Sequence, residues 1–140
     1  MEQNKELAER LARQTDARVK ACWDNSYNAM WCTSEHVFYI EGYVAIDGFV
    51  TEHGWLEIDG QIVDVTLYAK DGCTYFPGLR YSRKDAYDVC KRLGELPIFY
   101  SMGWGGCDSP EMMRAYCAAY DFIGASHIAD MQRHRTKGGT

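Results

Sequence analysis

The chain has 140 residues and 16.0 kDa, with 46% hydrophobic and 25% charged residues. That suits one domain, 1–140, able to bury roughly two-thirds of its unfolded surface without metal or disulfide staples. A net charge of −5, from 20 acidic and 15 basic residues, argues against a cationic nucleic-acid surface, and no apolar run approaches the ~18 residues that span a bilayer.

The N-terminus, EQNKELAERLARQ, is polar and helical rather than a secretory core. The six cysteines (22, 32, 73, 90, 107 and 117) include no CxxC pair. Reduced thiols in a cytoplasmic protein are therefore expected. The 10 tyrosines outnumber the 5 phenylalanines, and tyrosine suits a core edge or a cleft wall.

Residues 3–19 place Leu7, Leu11 and Val19, with Ala8 and Ala12, along one side of an amphipathic helix. Residues 21–33, ACWDNSYNAMWCT, read as a mostly buried helix starting near Cys22. A thiol at a helix N-terminus meets the positive end of the dipole and unpaired N–H groups, both of which favour thiolate. Alone, such a cysteine reads first as a small buried hydrophobe, which is what most free cysteines are.

Residues 36–46, HVFYIEGYVAI, are a strand by their β-branched and aromatic content. Its Phe38, Ile40, Gly42, Val44 and Ile46 face carries no polar side chain and is expected to face the core. Asp47-Gly48 reads as a turn into a second strand near Phe49 or Val50, which puts Gly42 opposite His53. Asp59-Gly60 is the strongest hairpin signal. A two-residue loop there pairs Ile58 with Gln61 and aligns His53, Trp55, Glu57, Ile62, Asp64 and Thr66 on one face. His53 and Asp64 become diagonal neighbours, their Cα atoms roughly 7–8 Å apart.

Residues 69–81 mix turn residues with aromatics and read as a loop, with a short strand near Cys73 to Phe76. Ser82 to Asp85 form a capping box for a helix to Leu93, with Ala86, Val89, Cys90 and Leu93 inward and Gly94 ending it. Pro97 to Ser101 read as a short strand, and Met102 to Ser109 as flexible backbone bordering a cleft. Asp108 or Ser109 caps a last helix with Pro110 at its first position. Met113, Tyr116, Cys117 and Tyr120 read as its buried stripe, Gly124 as a break or kink, and the basic tail MQRHRTKGGT as frayed.

The residue types point to thiol catalysis. Cys22 would be the nucleophile, His53 the base and Asp64 the acceptor that fixes the imidazole. The Cys22 backbone N–H, with Asn25, would stabilise an oxyanion. Glu41 reads first as a solvated strand carboxylate and second as a substrate contact or buttress. Trp55 would shield the triad from water or touch ligand. Cys22, Cys32, His36 and His53 have zinc-ligand chemistry but an unfamiliar spacing, so neither metal nor cofactor is expected.

The helical Cys followed by Asn, Tyr-Ile-Glu-Gly-Tyr (39–43), His53-Gly54-Trp55-Leu56 and Asp59-Gly60-x-x-x-Asp64-x-Thr66 together resemble the core of the transglutaminase-like cysteine superfamily. The nearest pattern is that of small bacterial and phage proteins with an EGY segment before a His-Ala-Trp one. The likeness spans about residues 20–68, with Gly54 for the usual Ala and Val65 for the usual Pro. It implies an α+β fold in which helices pack on an antiparallel sheet of three or more strands, with papain- or transglutaminase-like topology. It also implies Cys22, His53 and Asp64 as triad, and acyl transfer at a protein or peptide-like amide: hydrolysis, deamidation or transamidation. The alternative is an inactive binding or inhibitor protein of the same fold, such as a phage factor acting on a host protein.

Overall fold

In the computed structural model of the chain, residues 1–34, 36–99 and 109–138 are described. Four helices, α1 (Lys5–Thr15), α2 (Cys22–Met30), α3 (Arg83–Leu93) and α4 (Pro110–Gly138), accompany four strands, β1 (Val37–Ile46), β2 (Phe49–Ile58), β3 (Gln61–Val63) and β4 (Thr74–Ser82). The strands form one antiparallel sheet in the order β3-β2-β1-β4. This is the α+β arrangement expected.

Both hairpins follow their turn chemistry. Asp47-Gly48 and Asp59-Gly60 each have positive φ at both residues, as a two-residue hairpin loop demands. Gly42 pairs with His53 and Ile58 with Gln61. The β2–β3 ladder stops at Leu56 and Val63, so Asp64 and Thr66 leave the sheet instead of pairing with Trp55 and His53.

The larger core lies on the opposite face of β1 from the one expected. Val37 and Tyr39, with Leu56 and Ile58 of β2, pack against Ala8, Leu11, Ala29 and Met30 of the first two helices. Ile40, Trp55 and Ile62 form a smaller cluster on the other side. The expectation failed because β1, paired on both sides by β2 and β4, is covered on both faces here, so the absence of polar side chains on one face does not mark the larger core.

Other expectations also need correction. α1 ends at Asp16 in the left-handed conformation, so Val19 falls in a loop and is 88% exposed. Residues 74–82 are a full strand rather than a loop. Pro77 and Gly78, which look like turn residues, sit where the β1–β4 register shifts beside Gly42. An edge strand tolerates a missing N–H and a bulge. Ile98 and Phe99 are not in a strand, because their N–H groups are bound by Glu41. The rest of the expected Pro97–Ser101 strand, and the segment 102–108, lie outside the described residues.

Ser82 and Ser109 cap α3 and α4, accepting from Asp85 N and Met112 N. α4 runs through Gly124 and into the basic tail. Its buried residues are Met112, Ala115 and Ala119, while Met113, Tyr116, Cys117 and Tyr120 are exposed. Gly78 leaves space for Met112, whose Sδ a Cβ there would strike, so the helix seats on the sheet through Met112 and the small Ala115 and Ala119. No helix among the described residues is long and apolar enough to cross a membrane.

Candidate active site

Each part of the site is set by a separate element. β2 carries His53 in the sheet, and β3 ends one residue before Asp64. Asp64 Oδ1 accepts the N–H groups of Thr66 and Leu67 at 3.0 and 2.9 Å, an Asx-type turn that carries the chain off the sheet edge. Its other oxygen, Oδ2, is thereby aimed at His53 Nε2, 2.7 Å away. Both side chains are almost fully buried.

The nucleophile candidate enters from α2. Ser26 Oγ donates to Gly54 O at 3.1 Å and pins the helix against β2. Gly54 is required there, since a Cβ would come within 2.7 Å of the Trp23 ring. The glycine thus has a local cause, the tryptophan that follows Cys22. Cys22 and His53 line the same cleft, of about 810 Å³. With Nε2 held by Asp64, Nδ1 is the imidazole nitrogen available to the thiol.

The electrostatics follow from this arrangement. Burial works to lower the His53 pKa, but hydrogen-bond and charge interactions with Asp64 and Cys22 outweigh it and hold the imidazole up at about 9. Burial likewise works to raise Asp64. The hydrogen bond and charge of His53, with the Leu67 N–H and the Tyr75 hydroxyl, overcome that and keep its carboxyl below the usual range. The pair is therefore an imidazolium held on a carboxylate at neutral pH.

Tyr75 is the residue that sequence reasoning missed. Its hydroxyl donates to Asp64 Oδ2 at 2.8 Å, and its ring meets Trp55 edge-on at 5.0 Å. Its partner on β1 is Val44; at Gly42, two residues earlier on that strand, a Cβ would lie 2.9 Å from the tip of Trp55 and nearer still to Phe76 O. The absent side chain makes room for the β4 backbone and for the tryptophan. A continuous strand over 74–82 would have put Tyr75 on the His53 face, but Pro77-Gly78 obscured it.

The remaining candidates have definite places. Trp55 is buried and stacks on His53 with ring centroids 6.1 Å apart, so it covers the imidazole and does not line the cleft. Asn25 Nδ2 donates to Arg18 O at 2.6 Å and Thr66 Oγ1 at 3.0 Å, and its Oδ1 accepts Arg18 N. It ties the loop before α2 to the turn after Asp64, with both amide hydrogens engaged. Glu41 is not solvated. It is 0% exposed, takes the Tyr39 hydroxyl and Ile98 N on one oxygen and Phe99 N on the other, and buttresses the segment after α3. Burial raises its pKa, with those three hydrogen bonds opposing.

α2 also differs from the other helices at its start. Asn4, Ser82 and Ser109 cap α1, α3 and α4 with side-chain oxygens, whereas no side chain caps α2 at Ala21. Among the described residues its first turn, beside Cys22, thus lacks the side-chain cap that the other three helices have. Among the described residues no group of three or more His, Cys, Asp and Glu is disposed to hold a metal, and the five described cysteines are free. No protein-family model, curated protein or solved structure matches this chain.

Proposed function

We propose that the chain is a cysteine acyl-transfer enzyme of transglutaminase-like type, acting on a peptide-like amide in a reducing cytoplasm. The observation that carries the reading is the buried His53–Asp64 pair, 2.7 Å apart, whose imidazole borders the same cleft as Cys22. A structural pair has no need to face a thiol in an open cleft, whereas a nucleophile–base–orienter set does.

In the proposed reaction the Cys22 thiolate attacks the carbonyl carbon. The uncapped N–H groups of α2 receive the developing oxyanion. His53, as imidazolium, gives its proton to the departing amine, leaving a thioester on Cys22. His53 then takes a proton from water, the hydroxide attacks the thioester, and the acid leaves as the thiolate is restored. With an amine in place of water, the acyl group is transferred instead. Hydrolysis is the default, because water is always present. Asp64 stays ionised throughout and fixes the ring. Two exposed free thiols, Cys32 and Cys117, suit a reducing compartment.

Iodoacetamide labelling at pH 6 with mass-spectrometric assignment tests this. Cys22 should react at least tenfold faster than any other cysteine, and His53→Ala should remove most of that advantage. Uniform slow labelling of all cysteines would overturn the reading in favour of an inactive binding protein of the same architecture.

A further inference from the structure

We propose that the cleft above Cys22 is an acyl-donor subsite selective for a peptide whose residue at the reacting carbonyl bears an aromatic or large apolar side chain. The proposal rests on the thiol reading and specifies its substrate. Val19, Tyr116 and Tyr120 are exposed, by 88%, 41% and 48%, and all three line the cleft that holds Cys22 and His53. Large exposed apolar groups that converge on one concavity mark a binding surface more than chance scatter does.

The wall is ordered by the protein itself. Tyr116 meets Tyr43 edge-on at 5.5 Å and lies tilted against Tyr120 at 4.6 Å, so α4 and β1 present a joined aromatic surface. Trp23 lies beside the thiol and is braced by Phe99 at 5.5 Å. Such faces bury apolar and aromatic area at low cost in side-chain entropy.

Charge argues in the same direction. The charges on the described lining residues balance, Lys20 and the His53 imidazolium against Glu52 and, in the proposed reaction, the Cys22 thiolate, so the cleft favours neither an acidic nor a basic side chain. Its volume of about 810 Å³ falls within the range of about 300–1,000 Å³ in which ligand sites bury most of their occupant. The helix face that carries the tyrosines does not serve the core, which takes Met112, Ala115 and Ala119 instead.

Peptidyl acyloxymethyl ketones provide the test. Their methylene carbon bonds to Cys22 Sγ as the carboxylate leaves, with no other reactant. The full chain is treated with otherwise identical probes bearing phenylalanine, aspartate or lysine next to the ketone, and Cys22 modification is timed by intact-mass spectrometry. The phenylalanine probe should react at least tenfold faster than either charged probe. That ratio should fall to within about twofold in Tyr116→Ala/Tyr120→Ala and survive in Tyr116→Phe/Tyr120→Phe, with circular dichroism checking that both variants fold. Equal rates for the three probes, in a chain whose Cys22 still leads iodoacetamide labelling, would overturn the subsite and leave the thiol reading standing. Slow iodoacetamide labelling would remove the thiol reading and the subsite with it.

Discussion

One oxygen of Asp64 accepts from both His53 and Tyr75, and the other closes the turn that places it. The Tyr75 hydroxyl therefore bears on the carboxylate without touching the imidazole's free edge. Tyr75→Phe removes a charge-assisted hydrogen bond, which should lower stability by about 1.5–3 kcal/mol. Because that bond favours the ionised acid, Asp64 should titrate at higher pH in the variant, read from its carboxyl carbon by NMR. An unmoved Asp64 would reduce Tyr75 to a packing residue. His53, Asp64 and Cys22 were each legible as residue types at suggestive positions. Tyr75 was not, because a proline and a glycine in a strand look like a loop until pairing with a neighbour absorbs them as a bulge.

At the scale of elements, the placement of Cys22 depends on how closely α2 lies on β2. Gly54→Ala would put a methyl group 2.7 Å from a Trp23 ring carbon, an overpacking that costs about 1–3 kcal/mol. Since Ser26 and Trp23 hold the same turn of helix, the strain should also displace Cys22 and slow its labelling. The clash is with a side chain, so it should be relieved in a Trp23→Leu background. There the cost of Gly54→Ala should fall by about 1 kcal/mol or more, a coupling that chemical denaturation of the four proteins measures. Purely additive costs would mean that the two residues do not meet.

The elements themselves were legible wherever the signal was local: the two Asp-Gly turns, the Ser82 and Ser109 caps and the Gly94 stop. The failures have one origin in tertiary context. Glu41 looked solvated because no local signal announces that the Ile98 and Phe99 amides will meet it inside the protein. The aromatic side of α4 looked like its core side, because apolar periodicity cannot register that a glycine on the sheet leaves a place for Met112 and so seats the neighbouring Ala115 and Ala119 face. That error has functional weight, since the misassigned tyrosines are cleft residues.

Across the whole molecule, the buried imidazolium ties folding stability to pH. The His53 pKa lies at about 9 in the folded protein, against about 6.5 for the unfolded chain. Its contribution is fully present below about 6.5 and is lost as pH rises through about 9. Asp64 is held below the usual carboxylate range, so its contribution is present above about 4 and lost as pH falls through its folded value. The stability gap between the native chain and His53→Gln should thus be widest near pH 5–6 and narrow toward pH 9.5. Urea unfolding at several pH values measures it, and a gap that widened with alkalinity would contradict the pairing.

The shortest strand of the sheet sits next to the acid. β3 has three residues, and on its outer side the N-terminal segment runs parallel to it, with Asn4 N donating to Ile62 O at 2.8 Å and Ile62 N to Glu2 O at 2.9 Å. Asn4 also begins α1 as its cap and holds Gln61 through its amide. Four leading residues thus act as a clasp on the strand that delivers Asp64. Trimming them would leave that strand fastened to β2 alone, so the first function to fade would be the aim of a carboxylate some sixty positions along the chain, well before the fold itself gave way.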